Sequence, residues 1–242
     1  MRNSFSFMAF LFVAAALSFA CVQWEGGNNA AVEGERMRTT LDLDKFTGLG
    51  LSLSADVYLR QGNQQSVEIE ARESVIENIT KDVSNQYWKI GFKKSMRNYD
   101  KITIWVTVPT IDKLSVSGSG DISGENAFDG LDELKMNVSG SGNIQFEAEA
   151  DEANCVVTGS GNIELRGSAD DQKISITGSG DVESNNFKVK ECVVRITGSG
   201  DCEVNVSERL EVYITGSGDV TYKGDPSVRS RITGSGDVRA RD

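Results

Sequence analysis

The sequence predicts an all-β protein: a single-stranded parallel β-helix (β-solenoid), with seven recognisable coils in the C-terminal half and an N-terminal β-rich cap. Two observations support this. A short glycine-serine motif recurs seven times from residue 117 onward, and apolar residues alternate with polar ones before and after the motif. A fixed period near twenty residues is typical of a solenoid. Alternation at period two is typical of strands with one buried face.

Residues 1–20 predict an exported chain. Arg2 precedes an apolar run, Phe7 to Leu17, which is too short to span a bilayer comfortably and is typical of a secretory signal. The run ends at Leu17-Ser18-Phe19-Ala20-Cys21, which resembles a bacterial lipobox, so we expect cleavage before Cys21 and acylation of its thiol. The alternative is an ordinary signal peptide. Val22 rather than an aspartate follows the cysteine. By resemblance to enterobacterial lipoprotein sorting, this predicts the outer membrane, on its periplasmic or its outer side.

The next two segments are predicted from composition and pattern. Residues 21–39 are polar and glycine-bearing, which indicates a flexible tether. Residues 40–113 alternate in several short runs, with a short helix expected at Glu73–Ile79 and a charged hairpin loop at Lys93–Lys101. Because exposed solenoid ends must be covered, we interpret this segment as first coils or as a small cap.

Residues 114–242 contain the repeat. Its first copy is Ser117-Gly118-Ser119-Gly120-Asp121-Ile122, and the first glycines of later copies follow at steps of 22, 19, 19, 20, 18 and 18 residues. Those glycines are Gly140, Gly159, Gly178, Gly198, Gly216 and Gly234. Two short strands per period, with no helix-length segment between them, predict coils that pair in parallel about 4.8 Å apart.

The glycines of the motif allow two explanations. The motif is either a bend, which uses the freedom of glycine at positive φ, or a continuing strand whose glycines point inward at a narrow neck. We favour a bend with partial ladder character, in which the Thr/Ser, the middle Ser and the Asp/Asn form outward columns.

The acidic or amide column has two interpretations. The side chains either hydrogen-bond local backbone beside the glycine turn, or adjacent carboxylates hold calcium, because stacked aspartates repel unless a cation lies between them. The column comprises Asp121, Asn143, Asn162, Asp181, Asp201, Asp219 and Asp237. The last four would form the calcium column.

A hydroxyl column is the candidate binding ladder. A flat, regular row of hydroxyls could match a repeating polymer such as a glycan, although threonine also simply suits strands. Its members are Thr158, Thr177, Thr197, Thr215 and Thr233.

Charge and composition exclude several functions. The net charge is −11, so we expect neither nucleic acid nor anionic lipid as a partner. The chain has no histidine, which removes histidine-dependent triads and the usual zinc sites. We expect no cofactor and no catalytic residue.

Three cysteines fall at inward-facing positions and are expected to pack as small apolar groups. Cys192 and Cys202 lie on the two strands of one coil, and a disulfide between them across the core is an open alternative. Cys155 would stay free.

The β-rich segment, the proline-closed strand Ile102–Pro109 and the recurring (Ser/Thr)-Gly-Ser-Gly-(Asp/Asn)-(Ile/Val) together resemble the head-GIN domain family, common in Bacteroidetes. The resemblance covers roughly residues 40–240. The resemblance implies a parallel β-helix on a secreted or lipid-anchored protein of unknown biochemical role. The family is called a "putative auto-transporter adhesin" family, and it supplies no catalytic residues that could be transferred to this chain.

Regular outward chemistry favours a non-catalytic envelope lipoprotein that acts as an adhesion, glycan-binding or scaffolding module, with a glycan or another envelope protein as partner. The alternative is a polysaccharide-active β-helix enzyme that uses carboxylates. Its nearest candidates are Asp170, Asp171, Glu203, Glu208 and Glu211. A third hypothesis is an assembly partner whose solenoid end stacks into an oligomer.

Overall fold

The motifs lie above one another along a common axis, one per coil, as the sequence predicts. The computed structural model describes residues 32–241 and contains one sheet of 18 strands wound into a solenoid. Residues 1–31, with the expected signal peptide, Cys21 and most of the expected tether, lie outside the described residues, as does Asp242.

Each repeat coil has two walls joined by the glycine motif. The first wall is the strand that precedes the motif, and the second wall is the strand that follows it. Several strands run through the second bend of the coil and belong to both walls. The strands are β8 (Lys113–Val116), β9 (Asp121–Gly124), β10 (Phe128–Gly140), β11 (Ile144–Gly159), β12 (Ile163–Ser168), β13 (Asp171–Gly178), β14 (Val182–Gly198), β15 (Cys202–Gly216), β16 (Val220–Lys223), β17 (Ser227–Gly234) and β18 (Val238–Ala240).

Inward-facing residues stack in columns because equivalent positions of successive coils pair in parallel. On the first wall, Val138 pairs with Val157, and Ile176, Ile196 and Ile214 continue the column. All are at most 2% exposed. Full burial of such a side chain contributes about 1.5–3 kcal/mol, so each column stabilises the stacking of the coils.

Two further coils precede the first motif, and they are stacked out of chain order. Their strands are β2 (Gly48–Leu51) with β3 (Asp56–Gln61), and β6 (Tyr87–Ile90) with β7 (Thr103–Val108). Strand β2 pairs in parallel with both β6 and β8, and β3 pairs with both β7 and β9. The earlier coil therefore lies between the later coil and the repeat.

Antiparallel strands cover this N-terminal end. Strand β4 (Ser66–Arg72) pairs with β7, β1 (Arg36–Thr40) pairs with β4, and β5 (Val83–Ser84) pairs with β6. The segment thus supplies both first coils and a cap. On β1, Arg36 and Arg38 pair with Glu70 and Glu68 at 2.7 and 2.6 Å, and such charges discourage further strand addition at the edge.

Two local expectations need correction. The tether expected to reach residue 39 ends earlier, because Arg36–Thr40 is strand β1 and gains its backbone hydrogen bonds from β4. The expected hairpin loop Lys93–Lys101 instead connects β6 to β7, which run in the same coil and do not pair with each other. The expected helix is present as α1 (Glu73–Asn78).

Tyr87 packs flat against strand β2, where two glycines make room for its ring. A Cβ on Gly48 would lie 2.6 Å from Tyr87 Cδ2, and a Cβ on Gly50 would lie 2.0 Å from its hydroxyl oxygen. Lys113 Nζ lies 5.3 Å from the ring centroid, a cation–π contact. The two glycines therefore determine how the coil of β6 and β7 packs on the coil of β2 and β3.

Candidate functional site

The predicted hydroxyl column is a continuous ladder on the first wall. Ser139 pairs with Thr158, and the register continues through Thr177, Thr197, Thr215 and Thr233 without a shift. All six side chains are exposed. Their spacing is that of neighbouring parallel strands, about 4.8 Å. The ladder therefore presents one hydroxyl per coil to solvent.

A second hydroxyl column lies at the bend itself. It is made by the middle serine of every motif, and all of its members are exposed. They are Ser119, Ser141, Ser160, Ser179, Ser199, Ser217 and Ser235. The backbone N–H of each serine after the first donates to a glycine carbonyl of the preceding coil, for example from Ser199 to Gly178 at 2.8 Å. The bend is therefore fixed by hydrogen bonds between coils.

The two glycines of the motif have different roles, and both predicted explanations contribute. From the second copy onward, the first glycine bends the chain at positive φ, 121° at Gly178 and 134° at Gly198. The second is buried against the neighbouring backbone, so that a Cβ on Gly180 would lie 2.1 Å from the carbonyl oxygen of Gly161. The favoured interpretation, a bend with ladder character, agrees with this geometry.

The acidic and amide side chains form a third column, and they bond between coils rather than locally. Oδ1 of Asp181 accepts the N–H of Asp201 at 2.7 Å, Asp201 accepts that of Asp219 at 2.8 Å, and Asp219 accepts that of Asp237 at 2.9 Å. Asn143 and Asn162 follow the same pattern. The backbone role was predicted, but the partner is the next coil because the motifs stack in register.

Asp56 adds a member that the motif did not reveal. It pairs in register with Asp121, although its own coil lacks the glycine motif. Lys101 Nζ lies 2.6 Å from its Oδ2 and offsets the charge at this end of the column. The alternating run around Val57 was the only signal in the sequence for this position.

The calcium alternative remains a prediction. In residues 32–241, no group of three or more His, Cys, Asp or Glu side chains is placed to hold a metal ion. One oxygen of Asp181, of Asp201 and of Asp219 already accepts a backbone N–H.

A shallow groove of about 440 Å³ adjoins the acidic and amide column on the second wall. Its polar lining comes from that column and from the neighbouring outward column, in which Gln145 donates to Glu164 at 2.7 Å. The lining includes Asp121, Asn143, Asn162, Gln145, Glu164 and Glu183. One edge of the solenoid presents three features side by side: the hydroxyl ladder, the serine column and the groove lined by carboxylates and amides. We call this edge the ladder edge.

Cys155, Cys192 and Cys202 are buried free thiols, so the Cys192–Cys202 disulfide is not formed in this structure. Cys192 lies on the first wall and Cys202 on the second. Facing sheets are about 10 Å apart, whereas a disulfide requires Cα atoms within about 7 Å. Burial raises the pKa of Cys155 to about 12, which makes its thiol a poor nucleophile.

Gln172 is a buried polar residue that the hydrophobic runs concealed. Its Oε1 accepts from Ser184 Oγ at 3.3 Å and from Cys192 Sγ at 3.8 Å, while its Nε2 has no partner within residues 32–241. Gln172 alternates in step with Ile174 and Ile176, which point into the core. This alternation was the signal in the sequence that could have predicted its burial.

Three of the five carboxylates named for the enzyme alternative, those of Asp170, Glu203 and Glu211, lie far apart on the coils. Asp170 bonds Lys190 at 2.7 Å beside the second bend, and Glu203 bonds Arg241 at 2.7 Å on the second wall. Glu211 accepts from the Tyr213 hydroxyl at 3.1 Å on the first wall. A glycosidase needs two carboxyls across one groove, and these three lie on different surfaces.

Membrane-spanning helices are absent from residues 32–241, where the single helix has six residues. The lipid anchor expected at Cys21 falls outside the described residues.

Solved structures share the fold. A crystal structure of a "putative adhesin" from Bacteroides fragilis has a TM-score of 0.79 at 22% identity, and covers 87% of this chain and 99% of that one. A "putative lipid binding protein" from Parabacteroides distasonis has a TM-score of 0.73 at 20% identity, covering 89% and 100%. A "putative adhesin" from the same species has 0.73 at 21%, covering 88% and 100%.

No match was found among curated proteins. The family model described as "Putative auto-transporter adhesin, head GIN domain" matches residues 45–226, which include both N-terminal coils, part of the cap and most of the repeat. The match covers about three quarters of the chain, as the motif and the proline-closed strand led us to expect. The chain belongs to the head-GIN domain family.

Proposed function

We propose that the protein is a non-catalytic adhesion module of the cell envelope whose ladder edge binds a repeating glycan. The observation that carries the proposal is the unbroken register of exposed hydroxyls from Ser139 to Thr233. A hydroxyl both donates and accepts hydrogen bonds, so each coil offers the same contact. Identical contacts at a constant spacing suit a polymer of identical units better than a single small molecule.

The neighbouring columns extend this chemistry. Carboxylate and amide groups, such as those of Asp121, Asn143 and Gln145, accept and donate to the vicinal hydroxyls of a sugar. They line the groove beside the serine column. In the coils that line the groove, a glycan along the ladder edge would therefore contact a hydroxyl of the ladder, a hydroxyl of the serine column and a carboxylate or amide group.

A glycan array with the mature protein tests the proposal. The double variant Thr177→Val/Thr197→Val keeps the β-branched shape but removes two hydroxyls, and we expect at least a tenfold weaker apparent affinity. The matched control is Thr221→Val, an outward threonine of the second wall, which should bind as the wild type does. Unchanged binding by the double variant would contradict the proposal, and shortened oligosaccharides would favour the enzyme instead.

The proposal includes anchoring through acylated Cys21 to the outer membrane. Support comes from the apolar run before Leu17 and from the lipobox-like residues up to Cys21. Mass spectrometry of the N-terminal peptide should show a diacylated or triacylated cysteine, and fractionation should recover the protein with outer-membrane vesicles. Cys21→Ser should release the protein from those vesicles, and an unmodified cysteine in the wild type would contradict this part.

A further inference from the structure

We propose that the N-terminal end of the solenoid docks on the anionic phosphate surface of the membrane that holds the anchor, through a basic patch formed by Lys81, Lys89, Lys93, Lys94 and Arg97. The inference rests on the proposed lipid anchor for its geometry. It revises the expectation, drawn from net charge, that anionic lipid is repelled.

Charge is unevenly distributed along the molecule. Residues 32–113 carry 12 basic and 12 acidic side chains and have no net charge, whereas residues 114–241 carry 12 basic and 22 acidic side chains, a net charge of −10. An anionic surface repels the acidic repeat more strongly than the neutral N-terminal part. The N-terminal end is therefore the end that can approach such a surface.

The basic patch lies in that end, and its side chains form no ion pair in the described residues, although Lys93 Nζ donates to the carbonyl of Glu77 at 3.0 Å. All five side chains are exposed. None has a carboxylate within 4.0 Å in residues 32–241, whereas four other basic residues of the same part are paired, namely Arg36, Arg38, Arg72 and Lys101. Two acidic side chains, Glu77 and Asp82, lie in the same stretch, so residues 77–98 have a net charge of +3.

Helix α1 connects the patch to the point where the anchor segment enters. At the start of the helix, Glu33 N–H donates to Ser74 Oγ at 2.8 Å, and Glu73 N–H donates to the carbonyl of Glu35 at 3.1 Å. At its end, Asn78 binds the patch backbone: Lys93 N–H donates to the Asn78 carbonyl, and Asn78 Nδ2 donates to the carbonyl of Lys94, at 2.8 and 2.7 Å.

The length of the anchor segment agrees with this placement. A six-residue helix is about 9 Å long, so the patch lies close to where residue 32 enters the fold. The segment from Cys21 to residue 31 has 11 residues and spans at most about 40 Å. An acylated Cys21 would thus keep the patch within reach of the lipid headgroups, and the acidic repeat would project away from them.

Vesicle co-sedimentation tests the proposal. The probe is phosphatidylcholine vesicles with or without one third phosphatidylglycerol, and the protein is the chain from Cys21 to Asp242 made without export, so that it is not acylated. We expect binding only to the anionic vesicles. It should disappear when ionic strength rises from about 0.1 to about 1 M, which shortens the screening length from about 10 to about 3 Å.

Two charge-matched variants give the decisive comparison. Each basic residue near an anionic surface contributes about fivefold to partitioning, so Lys94→Glu/Arg97→Glu should weaken binding at least tenfold. Lys188→Glu/Lys223→Glu makes the same change in net charge on the repeat and should bind within about twofold of wild type. Circular dichroism checks that both are folded.

Lack of wild-type binding to anionic vesicles, or equal loss in both variants, would overturn the docking proposal. Acylation of Cys21 is measured separately by mass spectrometry. An unmodified cysteine together with patch-dependent binding would refute the anchor but leave the docking surface intact, whereas an acylated cysteine without such binding would refute the docking alone.

Discussion

Very close backbone approaches occur at the second glycine of the motif. Gly142, Gly161, Gly180 and Gly200 are all buried, and a Cβ on any of them would lie 2.0–2.1 Å from a carbonyl oxygen of the preceding coil. Backbone rather than a flexible side chain is the obstacle, so neither coil can yield without breaking the inter-coil hydrogen bonds of the bend. Within the repeat, the second glycine is therefore required for one motif to stack on the next.

Gly180→Ala should lower the free energy of unfolding by about 3 kcal/mol or more, because overpacking costs about 1–3 kcal/mol even where side chains can move. The control is Gly130→Ala. Gly130 has φ of +70° but nothing within 4 Å of an added Cβ, so only backbone strain of about 1–2 kcal/mol applies. Urea unfolding of the two variants should differ clearly, and equal losses would contradict a steric role.

Asp201 should be replaceable by Asn but not by Ala. Its Oδ1 accepts the N–H of Asp219 at 2.8 Å, and Asp201→Ala leaves that donor unpaired at a cost of about 1 kcal/mol. Asp201→Asn keeps the acceptor, removes a charge between Asp181 and Asp219, and should be neutral or stabilising. Thermal unfolding compares the two variants, and equal destabilisation would indicate that the carboxylate charge itself is required.

Buried thiols should make stability fall in alkali. Burial raises the pKa of Cys155 from 9.0 to about 12 and that of Cys192 and Cys202 upward as well. Their folded pKa lies above the unfolded value, so this contribution is fully present below about pH 9. It declines above that pH by up to about 1.4 kcal/mol per pH unit for each thiol.

Cys155→Val, which keeps an apolar side chain in the core, should make this decline shallower by about a third. Urea unfolding between about pH 8 and about pH 11 measures the slope for both proteins. An identical slope in the variant would contradict the raised pKa of the buried Cys155 thiol.

At the scale of elements, alternation alone predicted the strands but could not give their partners. The runs around Leu49, Val57, Trp88 and Ile104 all became strands. Their register is set by contacts such as Gly48 with Tyr87 and with Lys113, between residues 39 and 65 positions apart. No repeated motif marks these pairs, so nothing in the sequence aligned them. In the repeat, by contrast, the glycines fixed the register.

Because Tyr87 packs on Gly50 of strand β2, we expect substitutions of these two residues to have non-additive effects on stability. Gly50→Ala should destabilise by about 1–3 kcal/mol because its Cβ would lie 2.0 Å from the Tyr87 hydroxyl oxygen. In a Tyr87→Ala background the same change should cost much less, since the obstacle is gone. A double-mutant cycle by urea unfolding should give a coupling energy of about 1 kcal/mol or more, and additivity would contradict the contact.

At the scale of the whole molecule, the stack of coils followed from the spacing of the motifs, but two properties did not. The out-of-order coil depends on long-range pairing of β2 with β6 and β8. The ladder columns were foreseen, yet Asp56 joined one of them through register rather than motif. Charge segregation was present in the sequence, but only the helix α1 contacts show that the basic patch and the chain entry share one end.

Removal of one complete coil should leave a folded protein. Deletion of residues 160–178 joins Gly159 to Ser179, preserves the motif, and brings together coils that are already compatible, because each coil contacts only its neighbours. The dependence of unfolding free energy on urea should fall by about a tenth, in proportion to the surface lost. Deletion of residues 160–169 removes part of a coil and should abolish cooperative unfolding, and tolerance of that variant would contradict the nearest-neighbour description.

The out-of-order coil has a mechanical consequence. Most stacks of coils can be peeled from an end, because the terminal coil is held on one side only. Here a pull on the N-terminus detaches β1 first, and then meets β2 and β3, each hydrogen-bonded to a strand on both sides. Tension between an anchor and a bound surface would load the four strand pairs of β2 and β3 together in shear. The coil that comes first in the chain should therefore resist unravelling from this end.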